Sequence, residues 1–539
     1  MPFKKIFLHA SDKTLNIFSI LTGLLVVASP FLYFFSANFL ESAFNKTLFL
    51  KFSLLAIMTI SVLAIPATFI LSRFLFRIAF YRLFPIFYAG FLLLFLYMPI
   101  RSLFPTLGVT PFVRPVSYAI FVLLLFWIIS LLSKFSKFHL VALVFSLSLT
   151  VASLSVLIRG SLPIMFDHRA IYSEDYKKDW RHQIAAKALN SVDLPNIYFV
   201  VPDGYASVAV LRDKLSFDDN PFVQKMEKRG FVHLPDSFSS YSNTYLTLSS
   251  LLQANYPVIE DSSHYKSRDD FYPSLLYNVE PFEVAKVARN LGYTVSIVGN
   301  YWADCGGPHA YCEQDQRKWI PYEIGTFFEM TPLPRLLRRI KQGEPSEDAS
   351  GTDAIDRTIR YLSGASRPPK PYFMLIHDLT THGCVFDANC RVRSNAELED
   401  IKLKSIDEKF KQFYTDSVQC TNKKLIEFAD YIAGVDPTAL IAIQADHGIA
   451  LSMFNAAGLA IPFKDLPENA MRERMSVLSL VRVPDKYRKW LRHDLNTVNT
   501  VRFLFGCATG TEPEYLENKS YISFYENNAK FGQVHRVKR

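Results

Sequence analysis

The sequence predicts a helical membrane bundle of five spans followed by an α/β domain with a mainly parallel central sheet. Three observations point there. Five apolar runs crowd the first 160 residues, most of them near the length of a bilayer-crossing helix. Beyond them, short β-rich apolar runs alternate with helical patterns, as in successive βα units. Three of those runs end in acidic or histidine residues, where open α/β sheets bind their ligands. A chain of 539 residues has room for more than one domain. The expected divisions are a membrane domain over 1–158, an interfacial connector over 159–193 and a catalytic domain over 194–539.

The apolar runs are Leu15–Ala37, Phe52–Leu71, Leu83–Ile100, Tyr118–Leu132 and Leu140–Ile158. The fourth is short, and Phe135 and Phe138 extend it. No small-residue cleavage site follows the first, so it reads as an anchor and not as a removed signal. Lys4, Lys5 and Lys13 precede the first run, Arg73, Arg77 and Arg82 follow the second, and Lys134 and Lys137 follow the fourth. Fewer basic residues occupy the alternate loops. The positive-inside rule then sets the N-terminus in the cytoplasm, and five spans deliver everything after Ile158 to the outer side.

Charge agrees with this division. Residues 1–160 hold 13 Lys and Arg against 2 Asp and Glu, and the remainder holds 46 against 48. The net +9 thus lies between apolar runs, which reads as membrane topology and argues against a nucleic-acid partner. The spans lack the buried charges of a substrate path, which weakens a transporter reading. His168, Arg169, Tyr172, Tyr176 and Trp180 suit a connector lying along the interface.

The second domain opens with Asn196–Val201, an apolar strand closing on Pro202, Asp203 and Gly204. Asp203 stands where a metal ligand would be useful; it also suits a turn. Phe222–Gly230 reads as a helix. Polar residues then crowd Ser239–Thr244 before an apolar helical pattern at Leu246, Leu248, Leu251 and Leu252. Asn243 or Thr244 can cap that helix, and a hydroxyl at its N-terminus faces unpaired N–H groups that favour phosphate. Pro281–Gly292 is a helix and Tyr293–Val298 a strand. Residues 341–356 form a polar excursion. The strand from Pro371 leads to His377 and His382, Ile401–Ala433 is a long helix, and the strand from Thr438 ends Asp446-His447-Gly448. An adjacent carboxylate and imidazole suit one divalent cation, and the glycine suits a sharp turn.

All six cysteines lie beyond residue 300. No CxxC zinc spacing occurs. On the outer side of a membrane they permit disulfides, with Cys305/Cys312 and Cys384/Cys390 as the expected local pairs.

In this order the motifs resemble the sulfatase-like branch of the alkaline phosphatase superfamily: strand-Asp203, the Thr244 loop with its helix ending Asn255-Tyr256-Pro257, His377-x4-His382-Gly383, then strand-Asp446-His447-Gly448. With five spans ahead, the chain resembles lipoteichoic acid synthases and phosphoethanolamine transferases. Val498–Arg502 and Leu516–Tyr521 are similar to membrane-anchored members found with envelope polysaccharide genes. The resemblance implies an alkaline phosphatase/sulfatase-like fold and a metal set of Asp203, Thr244, Asp446 and His447. It implies that Thr244 is also the nucleophile and that His382 contacts the phosphoryl or leaving group. His377 matches the upstream histidine of the family's pair, at the substrate; Trp302 and Asp304 are expected to line the substrate pocket, although no family motif covers them. One divalent cation is expected, Mn or Zn before Mg.

The resemblance further implies transfer of a phosphoglycerol- or phosphoethanolamine-type head group. The donor would be a membrane phospholipid and the acceptor an envelope glycan or lipid, on the outer face of a bacterial cytoplasmic membrane. Departures bear on substrate. The sulfatase C/S-x-P-x-R motif is replaced by Thr244-Tyr-Leu-Thr-Leu248, Cys384 replaces the usual Pro after His-Gly, and Asp203 replaces a Glu. The rival readings are a hydrolase that uses water as acceptor and a non-catalytic envelope-assembly membrane protein.

Overall fold

A computed structural model of the chain describes residues 12–38, 46–71, 80–95, 97, 114–166, 194–256, 283–299, 311–313, 324, 327–328, 330–332, 353–364, 370–382, 384–394, 397–398, 408–453, 461, 465–522 and 535–537. The chain divides into two compact units, one formed by 1–168 with 320–340, the other by 169–319 with 341–539.

Among the described residues, the first unit shows five helices: α1 (Asp12–Asn38), α2 (Lys46–Ile70), α3 (Phe80–Phe95), α4 (Arg114–Leu132) and α5 (Ser136–Phe166). Three stretches, Asp12–Ser36, Phe49–Ile70 and Lys137–Ser155, are long and apolar enough to cross a membrane, and Ala119–Leu132 is a shorter apolar helix. α2, α4 and α5 expose large apolar side chains such as Leu55, Leu123 and Val141, as a lipid-facing surface would. Phe327, from the returning segment, is fully buried and stacks on Phe31 at 4.5 Å, with Phe34, Phe49, Phe52 and Phe95 around it. Of the expected connector, 167–193 lies outside the described residues.

The second unit is built on a seven-stranded sheet of order β2-β7-β6-β1-β5-β3-β4. The strands are β1 (Ile197–Pro202), β2 (Val232–His233), β3 (Thr294–Val298), β4 (Tyr311–Glu313), β5 (Tyr372–Asp378), β6 (Leu440–Gln444) and β7 (Ser479–Arg482). β1 lies between β5 and β6 and is parallel to both. β3 is parallel to β5 and β4. β7 is antiparallel to β6 and β2, which makes the sheet mixed.

Alternation along the strands serves two cores, because successive side chains point to opposite faces. Tyr198, Val200, Met374, Ile376, Ile441 and Ile443 pack in one core. Ile197, Phe199, Val201, Phe373, Leu375 and Ala442 pack in the other. Both faces being covered, every residue of β1, β5 and β6 is buried, so these strands read as continuous apolar runs. Among the described residues, the helices of this unit of eight residues or more are α6 (Val208–Leu215), α7 (Asn220–Glu227), α8 (Thr244–Gln253), α9 (Glu283–Asn290), α10 (Ala354–Ser363), α11 (Glu408–Val435), α12 (Glu468–Met475) and α13 (Thr497–Thr509). α11 supplies Val418, Leu425 and Phe428 to the first core, and α13 supplies Val501, Phe503 and Phe505 to the second.

One expected cysteine pairing is corrected. Cys390 bonds to Cys420 of α11, with Cα atoms 5.0 Å apart, and Cys384 is a buried free thiol. The cause is a tight hairpin. Phe386 pairs with Val392, and the Asp387 carboxylate accepts from the Asn389 and Arg391 backbone N–H groups. This fold carries Cys390 away from its near neighbour and sets it against α11. Cys305 lies outside the described residues, so the Cys305/Cys312 pairing does too.

Candidate active site

Three neighbouring parallel strands deliver their C-terminal ends to one edge of the sheet. β1 leads directly to Asp203, β5 passes through His377, and β6 leads to Asp446 and His447. Register sets Val201 beside His377 and Pro202 beside Asp378, and the Asp203 N–H donates to the Asp378 carbonyl at 2.9 Å. Gly204 turns the chain immediately afterwards at φ +74, a conformation that costs glycine little. A side chain there would meet the His447 ring at 3.6 Å and His382 at 3.8 Å. The Gly204 N–H donates to Asp446 Oδ1 at 3.0 Å, so one strand end orients the carboxylate of the next.

α8 brings the fourth group. Asn243 is its N-cap and accepts from the Leu246 N–H at 3.0 Å. This settles which residue caps and leaves the Thr244 hydroxyl for other use. Thr244 Oγ1 lies 3.3 Å from Asp203 Oδ2 and 3.3 Å from His447 Nε2. It is 3% exposed, so the hydroxyl sits within the site and not on open surface.

His447 is held in one tautomer by its other nitrogen. Nδ1 donates to the Gly448 carbonyl at 3.1 Å, which leaves the Nε2 lone pair directed at the carboxylates. His447 Nε2 is 3.5 Å from Asp203 Oδ1 and 3.5 Å from Asp446 Oδ2. Ligands about 2.1 Å from one tetrahedral ion would stand roughly 3.4 Å apart, so the spacing fits a shared cation. Both of those oxygens are buried and, among the described residues, have no hydrogen-bond partner. An uncompensated buried carboxylate oxygen is costly, and a cation between them removes that cost. The described residues offer two overlapping ligand groups, Asp203 with His382 and His447, and Asp203 with His377 and Asp446.

The surroundings tune these groups. Burial opposes ionisation of Asp203, but the charge of His382, the hydrogen bond from His377 and the charge of His447 outweigh it and hold the carboxyl well below its usual range. Burial, then the charge of Arg474, push His447 down to about 4 against the opposing pull of Asp446 and Asp203. His377 sits 3.0 Å from Asp203 Oδ2 and is 3% exposed. Burial lowers its basicity, yet the bond to Asp203 and the nearby carboxylates raise it overall. His382 differs: its side chain is 57% exposed, with Nε2 4.0 Å from Asp203 Oδ1.

Asp203, Thr244, His377, His382, Asp446 and His447 therefore meet at one strand edge, while Trp302 and Asp304 lie outside the described residues. Gly448 turns out to serve close approach. A Cβ there would stand 2.7 Å from the Ser476 carbonyl oxygen and 2.8 Å from that of Glu473. Arg474, on α12, is absent from the residues the sequence singles out; it reaches the site through hydrogen bonds to the Ser242 and Gly448 carbonyls, which its own sequence neighbourhood does not signal.

A family model described as Sulfatase matches residues 195–506. No match was found among curated proteins. The integral membrane lipooligosaccharide phosphoethanolamine transferase A (EptA) of Neisseria meningitidis is similar at 12% identity and a TM-score of 0.40, covering 91% of this chain and 95% of that one. The periplasmic domain of EptC from Escherichia coli, in complex with Zn, is similar at 10% identity and a TM-score of 0.39, covering 64% of this chain and 93% of that one. The C-terminal periplasmic domain of phosphoethanolamine transferase EptC from Campylobacter jejuni is similar at 13% identity and a TM-score of 0.36, covering 58% of this chain and 89% of that one.

Proposed function

This chain belongs to the sulfatase family of the alkaline phosphatase superfamily, and from that premise we propose that it moves a phosphate-linked head group from a membrane phospholipid through a covalent phospho-threonine at Thr244. The observation that carries this reading is the convergence of the Thr244 hydroxyl, the His447 Nε2 atom and two buried carboxylate oxygens that have no hydrogen-bond partner among the described residues. In this reading Asp203, Asp446, His447 and Thr244 hold one divalent cation. Nitrogen ligation favours Zn or Mn over Mg. Bound there, the cation would supply the positive charge that lets the Thr244 hydroxyl lose its proton to solvent near neutral pH.

The protein's own groups do the rest. Thr244 Oγ1 attacks phosphorus, and the bond from phosphorus to the lipid glycerol oxygen breaks. The α8 N-terminus, to which Thr244 belongs, favours the phosphoryl oxygens through its dipole. His382, the exposed histidine of the pair, gives the leaving oxygen its proton. It then takes the proton of an acceptor hydroxyl, which attacks phosphorus and frees Thr244. His377, buried against Asp203, holds that carboxylate in orientation. Glycerol and ethanolamine phosphates both suit this chemistry, and an envelope glycan or lipid is the acceptor.

We assign α1 to α5 as five spans with the N-terminus in the cytoplasm, which puts residues 194–539 on the outer face of a bacterial cytoplasmic membrane. The Cys390–Cys420 bond supports an oxidising compartment. Trp302, outside the described residues, remains a proposed substrate contact. Water as the acceptor would make the same site a hydrolase. Sulfate ester hydrolysis is disfavoured, because Thr244 has neither the Cys nor the Ser that becomes formylglycine in the resembling sulfatases.

The test uses full-length protein in detergent with added Mn or Zn and a chromogenic phosphodiester. Thr244→Ala is expected to lower turnover at least 1000-fold, on the order of a lost nucleophile, while Thr244→Ser keeps measurable turnover. Equal turnover by wild type and Thr244→Ala would contradict the reading.

A further inference from the structure

Arg474 lies at the end of α12, outside the ligand set, yet its guanidinium reaches two loops of the site. Nε donates to the Ser242 carbonyl at 2.8 Å, two residues before Thr244. Nη1 donates to the Gly448 carbonyl at 2.6 Å, one residue after His447. The Gly448 carbonyl is the same oxygen that accepts from His447 Nδ1. In return the Gly448 N–H donates to the Arg474 carbonyl at 2.7 Å. The absence of a side chain at 448 is what lets this backbone lie against the end of α12.

We propose that Arg474 is a positioning residue that locks the nucleophile loop and the histidine ligand into one frame. The reasoning is geometric. A carbonyl oxygen has two lone pairs, and at Gly448 one serves His447 and the other Arg474. Fixing that oxygen fixes the imidazole tautomer and leaves Nε2 as the ligating atom. The second arm fixes the backbone that enters α8, and so the place of Thr244 Oγ1. A planar guanidinium has donors on Nε and Nη1 at a set separation, which suits two carbonyls at once; a lysine ammonium offers one compact point. Cutting this link frees both loops, and a misplacement of about 1 Å is enough to cost catalysis on the order of 100-fold.

The inference rests on the metal-site reading above, and the experiment separates the two. Full-length wild type, Arg474→Gln and Arg474→Lys are stripped of metal in detergent and titrated with Zn against a chromogenic chelator. Phosphodiester turnover is measured beside them. Wild type is expected to bind one Zn. Arg474→Gln is expected to bind it 10- to 100-fold more weakly, the range for outer partners of metal ligands, with kcat falling more than KM rises. Arg474→Lys restores less than half of the lost affinity on a logarithmic scale. Zn binding by Arg474→Gln equal to wild type overturns the inference. Full recovery by Arg474→Lys also overturns it, since charge alone would then suffice. If Arg474→Gln does not fold, Arg474→Lys carries the same decision. Wild type that binds no Zn or Mn removes the metal-site reading itself, and the inference with it.

Discussion

At the scale of single residues, proton bookkeeping exposes a group beneath the site. The Tyr205 hydroxyl lies 2.6 Å from Asp219 Oδ2 and 2.6 Å from Asn422 Oδ1. Asn422 Nδ2 donates to the other Asp219 oxygen at 2.7 Å. One hydroxyl proton cannot serve both acceptors. A protonated Asp219 completes the ring: it donates to Tyr205, and Tyr205 donates to Asn422. Burial accordingly pushes Asp219 up to about 6, against the hydrogen bonds from Tyr205 and Asn422, with the charge of Asp218 adding to the rise. An acid whose pKa is higher folded than unfolded holds its proton more tightly when folded. Its contribution is present in full below the usual value of 3.8 and is lost as pH rises through about 6. The loss amounts to about 3 kcal/mol at 1.36 kcal/mol per unit. Asp219→Asn supplies the missing donor permanently. The stability of wild type relative to this variant is expected to fall between pH 4 and 7 by that order, read from melting midpoints in detergent. A difference that stays constant with pH would contradict the ring.

At the scale of elements, the cap of α8 is the joint between fold and chemistry. Asn243 satisfies the Leu246 N–H, and the other end of the helix is tied by Arg502 of α13, whose Nε donates to the Ala254 carbonyl at 2.8 Å. Asn243→Ala is expected to cost about 1 kcal/mol of stability and a larger share of turnover, because the cap also aims Thr244. Asn243→Ser, which keeps an acceptor, is expected to restore both. Restored stability without restored turnover would separate the cap from the aim of Thr244. The legibility of the sequence follows the same division. Asp203, Asp446 and His447 stood out because apolar strands closed on them. Asn243 and Thr244 did not separate, since an amide and a hydroxyl cap equally well. Arg474 is hidden because it reaches the site through backbone carbonyls 26 and 232 residues away. The Cys390–Cys420 bond depended on a hairpin that spacing alone does not reveal.

At the scale of the whole molecule, the order of the motifs along the chain points to the fold, and the family match over residues 195–506 agrees with it. Parallel strands with both faces covered must be apolar throughout, which made β1, β5 and β6 easy to find. The antiparallel edge was less visible: β7 has four residues and β2 has two, too few for a periodic signal. Among the described residues of the first unit, three stretches are long and apolar enough to cross a membrane, and the proposed function uses them to hold the site where a lipid donor is presented. The most direct test of the central claim is the intact mass of the full-length protein, after incubation with mixed phospholipid vesicles and Mn or Zn, followed by peptide mapping. The account predicts a phosphate-linked head-group adduct on Thr244 that is absent in Thr244→Ala. A metal-loaded, folded protein that turns over phospholipid while its label maps to another residue would contradict it.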